Sequence, residues 1–300
     1  MSERESILAI DLGGSHVSAG RIDAASGDVH TFLRVPLPPG ADRAELVRRI
    51  TRAAADVAEG AVDRIGVAVP GPFDYANGVS LLTHKLEPLH GVDLRRELAE
   101  ALRAPSTAIV FVNDADAFLL GEAWVGAARG HRRAVGVTLG TGLGSAFLED
   151  GTIVATGAQV PLEGSLHHVH YGGRPVEDTV SRAALLARYG DPRLDVRDVA
   201  IRARNGDARA QQAFGELAFA LGEVTAPWLR SFGASCLVVG GAISRAWDLL
   251  GHGLHAALGT IDGLEEVVPA ARVDDAALLG AARCAAGAAV SAIGRVGALR

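Results

Sequence analysis

Asn113-Asp114 closes an apolar run, Ala108 to Val112, and opens a stretch patterned as a helix. A carboxylate there is fixed by the backbone, and the helix N-terminus keeps it ionised. Asp114 is then a weak base but a fixed one, and in phosphoryl transfer positioning and electrostatics dominate over base strength. The same two residue types are also common helix caps. At Asp11-Leu12-Gly13-Gly14-Ser15 a strand delivers a carboxylate, and two residues later the backbone turns on glycines. Glycine permits positive φ and lets N–H groups approach an anion without a Cβ in the way. Ser15 adds a hydroxyl donor, and Asp11 stands where it could hold a hydrated Mg²⁺. An ordinary hairpin turn uses the same residues.

Two more glycine sites follow. Leu139-Gly140-Thr141-Gly142-Leu143-Gly144 is flanked by strand-like runs on both sides. A dinucleotide fingerprint needs a helix after its glycines, so this run is not one. A strand-loop-strand carrying Thr141 can still cradle phosphate through its N–H groups; a hairpin with spare glycine is the plainer reading. Val238-Val239-Gly240-Gly241 ends a strand before a helix-like stretch and leaves a flat, side-chain-free surface on which a purine could lie. A tight strand-to-helix turn is the alternative. Glu163 and Glu177 flank His167, His168 and His170. Carboxylates with an imidazole can grip polyol hydroxyls through charge-assisted hydrogen bonds. Three close histidines also suggest a transition metal, although no thiolate is near to complete such a site. Strand alternation would put His168 and His170 on one face and His167 on the other.

These residues need elements to place them. Short strands are predicted at Ile7 to Asp11, Val17 to Ile22 and Val29 to Val35, as an antiparallel meander. Ala41 to Glu59 carries Leu46, Ile50, Ala53, Ala54 and Val57 at helical spacing. A strand at Ile65 to Val69 ends at Pro70-Gly71-Pro72, and Val92 to Leu102 is patterned as a helix. A second meander, Ala134 to Leu139 and Gly144 to Leu148, begins halfway down the chain after a helix from Asp114 to Ala127. That is weak evidence for two related lobes. Phe214, Leu217, Leu221, Val224 and Leu229 form a helical stripe that Pro227 should end or kink.

Composition bounds the class. The 300 residues are 49% hydrophobic and 21% charged, which is globular rather than disordered. The formal net charge of −6 and the lack of a basic stripe argue against nucleic acid. Two distant cysteines, Cys236 and Cys284, make neither a disulfide framework nor a metal knuckle and fit a reduced, cytoplasmic setting. The N-terminus reads as the entry to a strand, not a signal peptide. The apolar stretch from Ala276 to Leu299 is interrupted by Arg283 and Arg295 and reads as packed helix, not a membrane span.

With these residues in hand, the chain resembles the ROK family of sugar kinases and sugar-responsive repressors, within the actin-like ATPase superfamily. The resemblance runs from Ile7 to about Ala282. Asp11 to Ser15 looks like the first phosphate loop, Val69-Pro70-Gly71-Pro72 like the sugar-lobe loop, and Asn113 to Ala117 like the catalytic Asn-Asp segment. Gly140 to Gly144 resembles the second phosphate loop, and Gly240-Gly241 the adenosine motif. The resemblance implies an α/β, two-lobed actin-like (ribonuclease H-like) fold with a cleft between lobes at about 1–107 and 108–283, and a C-terminal helix near 284–300 packed back on the first.

It also implies an ATP- and Mg²⁺-dependent sugar kinase. Asp114 would be the catalytic base; Gly71, Asn113, Asp114, Glu163, His167 and Glu177 would bind sugar. Asp11, Gly13, Gly14, Ser15, Gly140, Thr141, Gly142, Gly144, Gly240 and Gly241 would bind nucleotide, with Asp11 toward Mg²⁺ through water. Val176 to Ser181 matches the family's Leu-Glu-x-x-x-Ser pattern. His167 sits one residue late relative to Glu163, so His168 competes for its role. Two departures stand out. No cysteine lies between Glu163 and Glu177, so the family's structural zinc is not expected here. Thr83-His84-Lys85-Leu86 replaces a Pro-Asn-Leu segment, which bears on sugar choice. A neutral hexose such as glucose is the first expectation, and an amino hexose such as kanosamine or glucosamine the second. A non-catalytic sugar-binding regulator would carry a helix-turn-helix before the first loop, and Asp11 leaves no room for one. The expected partners are sugar and ATP, with no nucleic acid and no membrane, in a homodimer.

Overall fold

The computed structural model describes residues 6–58, 60, 62–83, 86–191 and 193–287. His84 and Lys85 lie outside them, as does the stretch from 288 to 300.

The chain opens with the meander that its turns demand: β1 (Ser6–Leu12), β2 (His16–Asp23) and β3 (Val29–Pro36). Helix α1 (Arg43–Val57) starts where the Asp42 carboxylate accepts from the Glu45 N–H at 2.8 Å, and it buries Leu46, Ile50, Ala53, Ala54 and Val57. Next come β4 (Ile65–Val69), the short pair β5 (Phe73–Asp74) and β6 (Val79–Ser80), α2 (Leu94–Leu102), β7 (Ile109–Asn113) and α3 (Asp114–Val125). The first sheet has the order β3-β2-β1-β4-β7. Its meander is antiparallel, and β4 and β7 join β1 in parallel, as crossover helices require. Leu8, Ile10, Val17, Leu46, Ile50, Val67, Phe73, Leu98 and Phe111 share its core.

The pattern then repeats. A hairpin of β8 (Arg133–Leu139) and β9 (Leu143–Glu149), with the short β10 (Thr152–Ile153), is followed by β11 (His170–Tyr171) and β12 (Arg174–Pro175). Helices α4 (Arg182–Tyr189), α5 (Val196–Arg204) and α6 (Ala208–Phe232) lead to β13 (Cys236–Gly240), α7 (Trp247–Leu258) and β14 (Glu266–Pro269). The second sheet runs β10-β9-β8-β13-β14, again a meander extended in parallel. Phe147, Leu185, Phe214, Leu217, Leu221, Val239, Leu250 and Leu254 lie in its core. The last described helix is α8 (Ala276–Ala285).

Two compact units result: residues 1–125 with 151–153 and 274–300, and residues 126–150 with 154–273. The first break falls at 125 rather than at the expected 107, because β7 pairs along its length with β4 and carries α3 with it. The second falls at 274 rather than 283. Helix α8 packs on α3, β4 and β1 of the first unit through glycines: a Cβ on Gly280 would lie 1.7 Å from the Ala117 carbonyl oxygen, and one on Gly66 2.0 Å from that of Ala281.

Pro227 neither ends nor breaks α6, which continues to Phe232. Pro227 and Glu223, whose carbonyl loses its donor, are both exposed. Water can therefore satisfy what the proline removes, while burial of Val224, Leu229 and Phe232 holds the far side of the helix.

Candidate functional site

In the first unit, the end of β7 and the start of α3 fix the central pair. The Asn113 side-chain oxygen accepts from the Ala115 N–H at 3.0 Å and lies 3.4 Å from that of Asp116, so it caps α3. Its amide donates to the Tyr75 hydroxyl at 3.1 Å, which donates to the Val69 carbonyl at 3.2 Å. Asn113 is thereby both cap and buried link. Asp114 is the first residue of α3, and its Oδ1 accepts from the Ala115 N–H at 2.9 Å. Gly71 belongs to the same neighbourhood: a Cβ there would lie 3.6 Å from the Tyr75 hydroxyl and 4.0 Å from the Asn113 amide nitrogen. Tyr75 was not singled out from sequence. Its one signal is its place after the Pro-Gly-Pro turn.

Asp11 lies at the end of β1, and Gly13 closes the turn by donating to the His16 carbonyl at 2.9 Å. The Asp11 carboxyl is raised from 3.8 to about 7, first by burial, then by the charge of Asp114, against the opposing Arg34 guanidinium. The residue keeps some solvent contact, but its carboxyl shares this crowded pocket of charge. Arg34 also lies 3.2 Å from His16 Nδ1, which is equally close to the Ser15 hydroxyl, and it faces Asp274 at 3.8 Å. Burial and Arg34 push His16 below its usual range. The Asp11 and Asp114 carboxylates feel each other's charge, and carboxylate oxygens suit a hydrated divalent cation. The residues therefore fit Mg²⁺ at Asp11.

In the second unit, the loop between β8 and β9 is closed by the Gly140 N–H on the Gly142 carbonyl at 3.0 Å. The Arg182 N–H donates to the Gly140 carbonyl at 2.9 Å. Gly142 does not adopt positive φ, and neither does Gly13. The glycine at 142 is required by space: a Cβ would lie 2.1 Å from Glu177 Oε1, which accepts from the Leu143 N–H at 2.8 Å. The loop thus does present an N–H to an anion, and in this structure the anion is Glu177. Thr141 is exposed beside it, and Gly144 is the second residue of β9.

Glu177 Oε2 lies 3.1 Å from His167 Nδ1, while Glu163 Oε2 lies 3.6 Å from His168 Nε2. Each glutamate therefore has its own histidine. The expected strand alternation fails, because Leu166–His168 is a 3₁₀ turn, and the two rings meet edge to face at 5.4 Å. Glu163 sits at φ 56°, left-handed without being glycine, a conformation that surrounding structure must impose. Ser181, the last residue of the Glu-x-x-x-Ser pattern, caps α4 through the Ala184 N–H at 3.2 Å. It anchors the turn that carries Glu177. Gly241 has φ 81°, and a Cβ there would lie 2.3 Å from the Leu139 carbonyl oxygen. It brings the end of β13 against the end of β8, where Gly240 and Gly140 stand.

Two meander sheets of matching order, each extended by parallel strands, define an α/β fold of the actin-like ATPase type. The model of the ROK family matches residues 7–288, and the chain belongs to that family. A glucokinase of Thermotoga maritima is 28% identical over 307 aligned positions, covering 92% of this chain and 96% of the relative. An N-acetyl-D-glucosamine kinase of Photobacterium profundum is 32% identical over 145, covering 48% of this chain and 46% of the relative. The crystal structure of a ROK family glucokinase from Streptomyces griseus, in complex with glucose and AMPPNP, superposes with a TM-score of 0.77 at 24% identity, covering 93% of this chain and 99% of that one.

Proposed function

We propose that this chain is an ATP-dependent sugar kinase that phosphorylates a hexose hydroxyl, with Asp114 as the general base. The observation that carries the reading is the Asp114 carboxylate, fixed at the first turn of α3 by the Asn113 cap. A carboxylate so held needs no reorganisation to accept the hydroxyl proton as the oxygen attacks the terminal phosphorus. Asn113 and Gly71 line the same floor, with Tyr75 holding the Asn113 amide in place. Glu163 and Glu177, oriented by His168 and His167, accept sugar hydroxyls through charge-assisted bonds. The turns at Gly13-Gly14-Ser15 and Gly140 to Gly144 offer N–H and hydroxyl donors to phosphates, and the Gly240-Gly241 turn offers a flat face to the base. Asp11 would hold Mg²⁺ through water, and the ion would neutralise phosphate charge.

Glucose is the first choice of substrate, in line with the glucokinase relatives. An amino hexose is the second, favoured by the carboxylates of Glu163 and Glu177 and by the N-acetyl-D-glucosamine kinase relatives. The test is sugar-dependent ADP release with Mg²⁺-ATP, comparing glucose, mannose, glucosamine and N-acetylglucosamine. Turnover on none of them, or turnover independent of sugar, would overturn the reading.

A further inference from the structure

The opposite ends of β8, β13 and β14 from the glycine turns carry a second cluster. His131 precedes β8, Cys236 opens β13 and Glu266 opens β14. Cys236 pairs with Glu266 and with Ala134 in the parallel register, so neighbouring strand starts hold two of the three side chains side by side. Their frame is rigid. Ser235 N–H donates to the Arg133 carbonyl at 2.9 Å, and the Glu265 and Glu266 N–H groups both donate to the Ser235 carbonyl, at 2.8 and 3.1 Å. One nitrogen of His131, one oxygen of Glu266 and the Cys236 sulfur lie within 4.8 Å of one another, and among the described residues this is the group of donors that converges in this way.

The hydrogen bonds of this cluster orient its donors. Ser235 Oγ donates to the Arg133 carbonyl at 3.1 Å, so its lone pair accepts from His131 Nδ1 at 2.9 Å. That fixes the neutral ring with its proton on Nδ1 and a bare lone pair on Nε2. Nε2 faces the Glu266 carboxylate at 3.8 Å, acceptor against acceptor, with a buried thiol beside them. A metal-ligating histidine usually donates its far N–H to a carboxylate, carbonyl or water, and here the Ser235 hydroxyl stands in that acceptor's place.

We propose that His131 Nε2, Cys236 Sγ and a Glu266 carboxylate oxygen bind one divalent ion of zinc type, with water in the fourth position. Tetrahedral donors around zinc sit about 3.5 Å apart, so the 3.8 Å between His131 Nε2 and the half-exposed Glu266 needs to close only slightly, and the whole set, within 4.8 Å, has to contract by about an ångström at most. Binding replaces the Cys236 thiol proton, which leaves to solvent as the Zn–S bond forms. The ion ties three strand starts together. It adds to a sheet that its hydrogen bonds already hold, so folding does not depend on it.

The test is titration of the full-length protein with Co²⁺, then displacement by Zn²⁺. One equivalent of Co²⁺ should bind and give a near-ultraviolet thiolate-to-cobalt charge-transfer band. Cys236→Ser should abolish the band, and Glu266→Gln and His131→Gln should each weaken binding by about tenfold or more. Ser235→Ala should weaken it by about 10–100-fold while the band persists, marking a positioning role. Because Cys236 is buried, Glu266→Gln at the surface is the variant that keeps the test sound if Cys236→Ser does not fold. Zn²⁺ should raise the melting temperature of the parent and not of Glu266→Gln. No charge-transfer band, or affinity unchanged in Glu266→Gln and His131→Gln, overturns the proposal. So does Co²⁺ binding that is lost on replacing His168, since the ion then belongs to the Glu163 and Glu177 cluster.

Discussion

Asp11 and Asp114 sit in different environments. Asp114 stands at a helix N-terminus, where positive potential favours its charged form. Asp11 feels that charge from a largely desolvated position, and its carboxyl is raised to about 7. Between 3.8 and about 7 the folded chain holds a proton at Asp11 that the unfolded chain has released. Stability from this group is therefore greatest below its unfolded value, falls as pH rises through that window and stays lost above it. Asp11→Asn removes the titration. At pH 8, without nucleotide, the variant should melt above the parent, and the gap should close toward pH 4; thermal unfolding followed by circular dichroism checks both. Its kinase activity should fall all the same, because the Mg²⁺ donor is gone. Asp114→Asn keeps the shape and cannot accept a proton as a carboxylate does, so kcat should drop about 10²–10⁴-fold with sugar affinity changed far less. Near-normal turnover would remove Asp114 from the role. Asp114 was legible in the sequence because a short polar pair after a buried strand has few places to go. The pairing of His167 with Glu177 and His168 with Glu163 was not, because it depends on a 3₁₀ turn that has no periodic signature.

At the scale of elements, the β8–β9 loop shows a glycine required for a reason that local sequence does not report. Gly142 reads from sequence as part of a cradle or a hairpin with spare glycine, yet its backbone has no positive φ. The Glu177 carboxylate, brought from far along the chain, forbids a side chain there. No local pattern reports a contact of that range. Gly142→Ala should push Glu177 off the Leu143 N–H and release His167. We expect sugar affinity to weaken about tenfold, equivalent to ~1.4 kcal/mol, by titration calorimetry on a folded variant. Unchanged affinity would separate Glu177 from the sugar. The meanders, α1 and the strand-to-helix turn at Asn113 were read correctly because their periodicity and caps are local. Pro227 misled because a proline on the wet face of a long helix costs less than one facing the core.

For the whole molecule, ligands should add to stability by mass action. A sugar or Mg²⁺-nucleotide at 100 times its dissociation constant contributes about 2.7 kcal/mol and should raise the melting temperature. Acidic phosphosugars with no acceptor hydroxyl should do so less. No helix among the described residues is long and apolar enough to cross a membrane. The doubled sheet order was visible as two meanders with glycine turns. The division at 125 and 274 was not, because parallel pairing of β4 with β7 and the docking of α8 are tertiary facts. The α3–α8 seam is the sharpest point of that docking. A side chain at Gly280 collides with the Ala117 carbonyl, so Gly280→Val should destabilise by about 3 kcal/mol, read from urea unfolding.

That seam also dictates an order of assembly during synthesis. Helix α8 covers β1, β4 and α3, which leave the ribosome some 150 residues or more ahead of it. The first unit is begun first and finished last. Until residue 285 emerges, its strands must wait with the glycine-lined face of α3 open, while nearly all of the second unit is already available to fold. A nascent chain halted after residue 273 should hold a protease-resistant second unit beside an unfinished first one, and should be at its most aggregation-prone in that interval.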